Sequence, residues 1–361
     1  MTLRVDEILV ARDALRHPET QRILECLKGT PHRVADIEEP FRGAYDPGEK
    51  RLLRLEFYRG AFLKPCPGTR NYICCGYQVL TPAANCPLGC TYCILQAYFN
   101  RPGLRICVIF REALDGVLAV IDNEPDRVFR VGTGEFTDSL ALDALTGWNR
   151  RLMAAFSRRS NAVIEFKTKT SAVRAMLESP HRRRIIMSWS LNSPSMAAWE
   201  ERGAAPLRAR LEAARACQEA GFVLGFHFDP LVMHPGWRED YMRTLDLLDA
   251  YIDPASIIWV SLGTFRFMPA LKEVIRRRHP RSRVLHGEFV RGLDGKMRYL
   301  RPLRVEMIRF MSEKLKAWDR DLGVYLCMES DVVWREAMGW TPRTSEGLSR
   351  YLDARVRKFF G

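Results

Sequence analysis

The sequence predicts an α/β protein built around a parallel barrel or partial barrel. From residue 72 onward, short apolar runs rich in β-branched and aromatic residues alternate with amphipathic segments of helical length. The apolar runs lack the strict alternation of a half-exposed strand, so they suit strands covered on both faces. Repeated strand-then-helix units join neighbouring parallel strands through right-handed crossovers, which favours a barrel or part of one.

The first 65 residues differ from this alternating region. Val5–Leu15 and Thr20–Leu27 have the pattern of short helices, and Phe41–Glu49 is a turn-rich connector. The chain has 361 residues, of which 47% are hydrophobic, and a parallel barrel alone uses about 200–250 residues. We therefore expect a small helical extension at 1–65, a barrel at 66–270, and a C-terminal region of hairpin and helices at 271–361.

The barrel region is expected to contain strands and helices in strict alternation. The predicted strands are Tyr72–Leu80, Arg127–Val131, Val163–Lys169, Ile185–Asn192, Phe222–Phe228 and Ile257–Leu262. The predicted helices between them are Leu142–Ser157, Ala172–Glu178, Pro206–Ala220 and Tyr241–Tyr251.

The C-terminal region contains a predicted β-hairpin. Asp294-Gly295 lies between two partly apolar runs in residues 284–302, and Asp-Gly is a strong signal for a tight hairpin turn. The basic residues of this segment are Arg291, Lys296, Arg298 and Arg301. They would give the hairpin positive charge, and Tyr299 could stack against a nucleic-acid base. A charged surface hairpin without such a role is the alternative, and Arg304–Trp318 is predicted to be a packing helix.

Three cysteines lie within eight residues at Cys86, Cys90 and Cys93, in a CxxxCxxC spacing. Cysteine thiolates bind iron–sulfur clusters, and a [4Fe–4S] cluster has four irons that each need a ligand. Three cysteines leave one iron open, to which a co-substrate can bind through its own amine and carboxylate. The spacing resembles that of radical S-adenosylmethionine (SAM) enzymes, which use this arrangement.

Other interpretations of the cysteine triad stay open. A zinc site usually fills four positions from paired motifs, and neither a second CxxC nor an HxxxH lies nearby. A disulfide needs an oxidising compartment, whereas the first residues contain no apolar run like the core of a signal peptide. Chance clustering of buried cysteines is the third interpretation. We expect a reduced, cytoplasmic protein that binds a cluster.

The chain is strongly basic, with a formal net charge of +13 from 56 Lys and Arg against 43 Asp and Glu. Cationic side chains gain free energy when they release the counterions condensed on a phosphate backbone, so this balance favours a polyanionic partner. An arginine-rich composition without such a partner would give the same charge. The longest apolar runs fall short of the ~20 residues that span a membrane, so we expect a soluble protein.

Polar residues follow several predicted strands, at the end where parallel barrels carry their chemistry. Gly132–Ser139 contains two glycines, which let a backbone approach a ligand closely, and Glu135 could accept a hydrogen bond from an ammonium group. Lys167 and Lys169 lie two apart and so point to one side of their strand. Ser188–Asn192 offers hydroxyl and amide groups for a ribose or a carboxylate. A glycine turn and solvated lysines are the alternatives.

Four segments together resemble one known family. They are Phe62–Thr69, Tyr72–Tyr77, the cysteine triad with Tyr92 and Leu95-Gln96, and Tyr325–Ser330. They resemble the spore photoproduct lyase family of radical SAM enzymes, over most of the chain beyond about residue 60. The triad is the most specific part of this resemblance.

The resemblance implies a partial (βα)6 barrel of the radical SAM type with a [4Fe–4S] cluster at its mouth. It implies reductive cleavage of SAM to methionine and a 5′-deoxyadenosyl radical, which removes hydrogen from a thymine dimer specific to ultraviolet-damaged spore DNA. The implied partners are damaged duplex DNA, into which a hairpin in this region inserts, and an electron donor such as flavodoxin or ferredoxin. By position, Cys86, Cys90 and Cys93 would ligate iron. The residues implied to contact SAM are Glu135, Asp138, Ser139, Lys169 and Ser190.

The chain departs from the family pattern at two places. The family returns hydrogen to the product radical from a cysteine beyond the second strand, but residues 132–143 contain none, and Glu135 stands close to that place. Ile94 replaces a tyrosine that the family uses to relay the radical, although Tyr92 and Tyr98 lie near. A carboxylic O–H is a far poorer hydrogen-atom donor than a thiol, so another cysteine would have to serve.

We expect Cys327 to be that cysteine, with Cys107 as the alternative, and we expect Tyr92 and Tyr98 to take part in catalysis. The predicted function is therefore that of a radical SAM lyase of the spore photoproduct lyase type that acts on a DNA lesion. Two alternatives remain: a radical SAM enzyme with a different, non-DNA substrate, and a metal-containing nucleic-acid-binding protein without turnover.

Overall fold

The computed structural model describes residues 3–36, 49–69, 71–99 and 101–361. Its centre is an eight-stranded sheet, curled into a partial barrel, in which seven neighbouring strands are parallel. In chain order these seven, called barrel strands 1 to 7, are Gln78–Leu80, Phe129–Gly132, Ala162–Thr168, Ile185–Ser190, Val223–Leu231, Ile257–Thr264 and Val324–Leu326. The eighth strand, Leu63–Pro65, pairs antiparallel with barrel strand 1 at the edge.

All six predicted barrel strands are confirmed, and the α/β partial-barrel fold with them. Barrel strand 1 is shorter than predicted, because only the last three residues of Tyr72–Leu80 form a regular strand. Its upstream part makes one antiparallel bridge instead, in which Ile73 N donates to Glu329 O over 2.9 Å. This bridge joins the approach to barrel strand 1 to the segment after barrel strand 7, so the two ends of the parallel sheet meet.

A buried ion pair holds this closure in place. The Glu329 side chain is fully buried, and its Oε1 lies 3.1 Å from Nε of Arg304, on the first turn of helix Arg301–Trp318. Nη1 of Arg298 lies 3.9 Å from the same carboxylate oxygen and 3.1 Å from Met328 O. Since a buried carboxylate without a partner is strongly destabilising, the closure depends on these two arginines.

Helices cover the barrel strands on the outside. In the described residues they are Phe110–Asp122, Asp143–Thr146, Trp148–Phe156, Arg174–Leu177, Pro194–Glu200, Leu207–Glu219, Trp237–Tyr251, Pro269–Arg278, Arg301–Trp318, Asp331–Met338 and Ser345–Phe360, with Pro18–Cys26 and Leu95–Tyr98 outside this layer. The single helix predicted over 142–157 is split at Gly147, which adopts a left-handed φ of 63°. Barrel strands are buried on both faces, as with the adjacent residues Ile185 and Ile186, which point to opposite faces, and this explains their continuous apolar runs.

The leading segment is a mixed α/β unit, so the helix predicted over Val5–Leu15 is wrong. Glu7–Ala11 is a strand followed by a short 3-10 turn, whereas the second predicted helix is confirmed as Pro18–Cys26. The strand belongs to a five-stranded sheet in the order His32–Ala35, Glu7–Ala11, Leu52–Glu56, Leu104–Cys107 and Ala83–Ala84. Its parallel partners are distant in sequence and were not visible in the local pattern. Residues 41–48 of the predicted connector lie outside the described residues.

The predicted hairpin is confirmed, with strands Phe289–Arg291 and Met297–Tyr299 paired antiparallel. Two of its residues do not have the predicted surface role. Arg298 and Tyr299 are each 1% exposed, since Arg298 pairs with Asp294 at 2.7 Å and the Tyr299 ring stacks on Phe289. Tyr299 therefore cannot stack against a base, and the exposed part of the hairpin is its tip.

No helix in the described part of the chain is both long enough and apolar enough to cross a membrane.

Barrel strand 5 contains a glycine that the barrel interior requires. A Cβ at Gly225 would lie 2.4 Å from Ser188 Oγ and 3.2 Å from Oε1 of Glu165. That carboxylate oxygen accepts hydrogen bonds from Ser188 and from the Trp259 indole at 2.6 and 3.0 Å, so its neighbours have little room to shift.

Gly225→Ala is therefore expected to lower the free energy of unfolding by about 1–3 kcal/mol through overpacking. The matched control is Gly116→Ala in helix Phe110–Asp122, where a Cβ has open space and a gain of about 0.5–1 kcal/mol is expected. Denaturant midpoints at unchanged m-value measure both effects. Equal midpoints for the two variants would contradict the packing described.

Candidate active site

The cysteine triad lies in a loop that follows barrel strand 1. Cys86 and Cys90 are buried and Cys93 is partly exposed. Gly89–Cys90 pairs antiparallel with Glu201–Arg202, the segment that directly follows helix Pro194–Glu200. The triad loop is thereby attached to the connection that follows barrel strand 4. Gly89–Cys90 and Glu201–Arg202 are more than a hundred residues apart in sequence.

Side-chain amides fix the shape of this loop. Asn85 adopts a left-handed φ of 66°, and its Oδ1 accepts a hydrogen bond from Cys86 N at 2.9 Å. Gln96 Nε2 donates to the carbonyls of Cys90 and Thr91 at 3.1 and 2.8 Å. Because these contacts hold the backbone around the cysteines, the thiols are positioned by the loop itself.

All ten cysteines of the chain carry free thiols. Burial raises the pKa of Cys90 to about 12 and that of Cys86 well above its ordinary value, while Lys169 and Lys50 act in the opposite direction. Among the described residues, no group of three or more His, Cys, Asp or Glu side chains is arranged to hold a metal ion. In a [4Fe–4S] cluster each thiolate binds a different iron, so three free thiols on one short loop are a suitable donor set.

Asp138 and Ser139, two predicted SAM contacts, join the loop after barrel strand 2 to the end of barrel strand 3. The Asp138 carboxylate accepts hydrogen bonds from Leu140 N, Ala141 N, Thr168 Oγ1 and Lys169 N at 2.9, 3.0, 2.8 and 2.7 Å. Ser139 Oγ accepts from Lys167 N at 3.0 Å. Asp138 is therefore fully occupied with shaping this loop.

Lys169 belongs to a buried cluster that sequence reasoning missed. Its Nζ lies 3.3 Å from Oε1 of Glu201 and 3.1 Å from the hydroxyl of Tyr92, which in turn donates to Glu201. Arg210 Nη2 lies 2.5 Å from the other oxygen of Glu201. Burial acts to raise the pKa of Glu201, but Lys169 and Arg210 outweigh it and lower the pKa. Glu201 follows a helix in a run of charged residues, where no sequence signal distinguishes it from a surface residue.

Two further SAM-contact predictions lie at the ends of barrel strands. Ser190 is 8% exposed and its hydroxyl makes no hydrogen bond within the described residues. Glu135 forms an ion pair with Lys167 at 3.2 Å. Burial acts to lower the pKa of Lys167, but Glu135 and the deeper Glu165 outweigh it and raise the pKa. The Lys167 ammonium beside Glu135 therefore keeps its charge at neutral pH.

The three predicted catalytic residues lie in three different settings. Tyr92 is buried in the Glu201 cluster, whereas Tyr98 is 55% exposed and lies 5.4 Å from the ring of Phe136. Cys327 follows barrel strand 7, where its Sγ accepts a hydrogen bond from Arg266 at 3.3 Å. The alternative thiol, Cys107, is fully buried in the N-terminal sheet.

The comparisons with known proteins agree with this geometry. The sequence profile described as spore photoproduct lyase matches residues 75–302, more than half of the chain. The chain is 29% identical to the spore photoproduct lyase of Bacillus subtilis over 205 residues, which are 56% of this chain and 60% of that relative. It is 26% identical to the spore photoproduct lyase of a Geobacillus species over 285 residues, which are 75% of this chain and 82% of the relative.

Solved structures of spore photoproduct lyase variants have the same fold. One matches with a TM-score of 0.81 and 21% identity over 90% of this chain and 100% of that chain. Another, with bound AdoMet and dinucleoside spore photoproduct, matches with a TM-score of 0.80 and 21% identity over 91% of this chain and 100% of that chain. The predicted radical SAM lyase class and its two cofactors, a [4Fe–4S] cluster and SAM, are confirmed with the family. The chain belongs to the spore photoproduct lyase family.

Proposed function

We propose that this protein is a radical SAM lyase that repairs the thymine photoproduct of ultraviolet-damaged DNA. The observation that carries the proposal is the triad loop, with three free thiols on a preformed loop at the end of barrel strand 1. When bound there, the cluster and SAM supply a 5′-deoxyadenosyl radical. The dinucleoside lesion bound by a structural relative supports a thymine photoproduct as the substrate.

Cys86, Cys90 and Cys93 hold the cluster, and the residues around them prepare the SAM site. Asp138 and Lys169 act indirectly, because their side chains are engaged with the protein. The Ser190 hydroxyl makes no hydrogen bond within the described residues, Ser139 Oγ accepts two hydrogen bonds but can still donate its own hydrogen, and Glu135 contacts Lys167 through one carboxylate oxygen, so these three groups have capacity left for the co-substrate.

Three residues carry the radical part of the proposal. Cys327 returns hydrogen to the product radical, since residues 132–143 contain no cysteine and the carboxyl group of Glu135, which contacts Lys167, is a far poorer hydrogen-atom donor than a thiol. Tyr92 and Tyr98, on either side of Ile94, take part in radical transfer. The close contact of Tyr92 with Lys169 and Glu201 supports a fixed ring next to the triad.

The partners follow from surface charge and from the hairpin. The net charge of +13 supports binding to duplex DNA, and the exposed hairpin tip, with Leu293 77% and Val290 42% exposed, supports insertion at a lesion. A cluster of this kind needs one electron for each SAM cleavage, so the electron donor is a flavodoxin or a ferredoxin. Free thiols at all ten cysteines support a reducing, cytoplasmic location.

One observation favours a second candidate function, radical chemistry on a different substrate. The loop after barrel strand 2 presents the Glu135–Lys167 ion pair close to the place where the family has its donor thiol. A charged pair there suits a more polar substrate.

The deciding experiment is anaerobic incubation of the reconstituted protein, SAM and dithionite with an oligonucleotide that contains one spore photoproduct. Repair predicts conversion of the lesion into two thymines in the strand, which acid hydrolysis of the DNA then releases for measurement, together with formation of 5′-deoxyadenosine. An oligonucleotide with a cyclobutane dimer is the matched substrate control. Release of 5′-deoxyadenosine without any thymine from either lesion would overturn the repair function and favour the second candidate.

Cys90→Ala is expected to abolish cluster binding and reduce 5′-deoxyadenosine release to background, because one iron loses its ligand. Iron content and the visible absorption of the reconstituted protein are the measurements. Cys217→Ala is the matched control, since Cys217 is a buried cysteine on helix Leu207–Glu219 that should leave the cluster intact. A full complement of iron and normal cleavage in Cys90→Ala would refute the ligand assignment.

Arg291→Ala is expected to weaken binding to duplex DNA because Arg291 is the exposed cation next to the hairpin tip. Loss of one phosphate contact lowers the slope of log K against log salt by about 0.9. Fluorescence anisotropy across a salt series measures affinity and slope together. Arg215→Ala on helix Leu207–Glu219 removes the same charge away from the hairpin and should change neither. Identical slopes for both variants would rule out the hairpin as a DNA contact.

A further inference from the structure

Arg266 contacts the thiol that the proposed function uses as hydrogen donor. It lies in the short strand Arg266–Phe267, just beyond barrel strand 6, and its Nη2 donates to Cys327 Sγ over 3.3 Å. The backbone of Cys327 is fixed as well, since its N donates to Leu262 O at 3.0 Å. Both the sulfur and the main chain of Cys327 are therefore held by barrel strand 6 and its extension.

The guanidinium of Arg266 is itself held from barrel strand 5. Nη1 lies 3.5 Å from Oδ1 of Asp229, and the other carboxylate oxygen accepts a hydrogen bond from Ser261 at 2.7 Å. The side chain of Arg266 is only 14% exposed. A Cβ at Gly263 would lie 1.8 Å from Oδ1 of Asp229 and 2.8 Å from Nη1 of Arg266, so the glycine provides the space for this pair.

The arrangement has a direct consequence for the thiol hydrogen. A thiol carries one hydrogen, and a donor that points at the sulfur occupies its lone-pair side. The S–H bond of Cys327 therefore points away from Arg266. Burial raises the pKa of Cys327 well above its ordinary value, and this outweighs the opposite effect of Arg266, so the sulfur keeps its hydrogen at neutral pH.

Oδ1 of Asp229, which lies next to Arg266, is a buried acceptor that is left unused in the described part of the chain. The atom is buried, yet it accepts no hydrogen bond within the described residues, because its contact with Arg266 is longer than a good hydrogen bond. This carboxylate oxygen next to the Cys327 thiol can therefore accept a hydrogen bond from a substrate that enters the barrel mouth.

We propose that Arg266 is a positioning residue that turns the S–H bond of Cys327 toward the substrate radical. The inference rests on the proposed function and adds to it the control of the hydrogen-return step. In that step the S–H bond breaks homolytically, a C–H bond forms on the carbon radical of the pyrimidine product, and the unpaired electron stays on sulfur. One electron from the protein reductant and one proton from water then restore the thiol.

The experiment separates hydrogen return from radical generation. Thiol hydrogens exchange with solvent, so the wild-type enzyme in D2O should place one deuterium in the methyl group of the released thymine. The first measured quantity is this deuterium content. The second is the coupling ratio, the thymine released per 5′-deoxyadenosine formed.

Cys327→Ala should retain 5′-deoxyadenosine release and lose deuterium transfer. Arg266→Gln should lower the coupling ratio by about ten-fold, the factor that corresponds to the loss of one hydrogen bond to a charged group. Arg266→Lys keeps a cation beside Asp229 and should restore part of the ratio. In the Cys327→Ala background, Arg266→Gln should have no further effect on coupling, because the two residues act as one unit.

Arg130→Gln is the matched control for the removal of a buried arginine. Arg130 pairs with Asp353 at 2.8 Å, and its loss should lower stability without changing the coupling ratio. If Arg266→Gln does not fold, Arg266→Lys carries the test, since a lysine cannot reproduce the directed contact with sulfur.

An unchanged coupling ratio in every Arg266 variant that folds would overturn the inference. So would deuterium transfer that survives Cys327→Ala but is lost in Cys66→Ala or Cys75→Ala, the two other thiols close enough to Cys327 to affect its pKa. If the wild-type enzyme cleaves SAM yet returns no thymine, the repair function itself fails and takes the inference with it. The three results are therefore distinguishable.

Discussion

The buried charge cluster around Glu201 is the interaction on which the site depends. It joins four parts of the chain: the triad loop through Tyr92, the end of barrel strand 3 through Lys169, helix Leu207–Glu219 through Arg210, and the segment that pairs with Cys90. Removal of one partner from a buried ion pair costs about 3–5 kcal/mol, because the remaining charge is left without compensation. These charged contacts therefore hold the triad loop against the end of barrel strand 3.

Two ion pairs lie at the barrel mouth. Glu135, after barrel strand 2, pairs with Lys167 near the end of barrel strand 3, and Asp229, near the end of barrel strand 5, pairs with Arg266 after barrel strand 6. In a poorly solvated mouth such pairs act as fixed dipoles that do not reorganise during the reaction. They can orient a substrate with hydrogen-bonding edges, and a pyrimidine offers both donors and acceptors there. In the proposed reaction, Arg266 would join substrate selection to hydrogen return, because it contacts both Asp229 and Cys327.

Local sequence patterns were sufficient to identify the barrel strands and the cysteine triad. The barrel strands were predictable because strands covered on both faces need continuous apolar runs, and the triad because ligand spacing is a local property. The strand Glu7–Ala11 was mistaken for a helix because its partner Leu52–Glu56 is distant in sequence.

Arg298 and Tyr299 were mistaken for surface residues for a related reason. The Arg298 guanidinium lies 4.0 Å from the centre of the Tyr72 ring, and Tyr299 accepts a hydrogen bond from Met233 N at 3.1 Å. Glu201 went unnoticed because its partners come from three separate elements. In each case a contact with a residue distant in sequence adds to the burial, and no short window of the sequence contains both members of that contact.

The closure of the barrel brings a thiol after barrel strand 7 close to the loop after barrel strand 2, as the proposed hydrogen return from Cys327 requires. The Ile73–Glu329 bridge lies two residues beyond Cys327 and two residues before Cys75, so it brings the last parallel strand next to the first. Barrel strand 1 alone then separates Cys327 from barrel strand 2 and Glu135. The electrostatic interaction of Cys327 with Cys75 and Cys66 agrees with this proximity. The replacement of a thiol by Glu135 therefore leaves thiols within the same sector of the mouth.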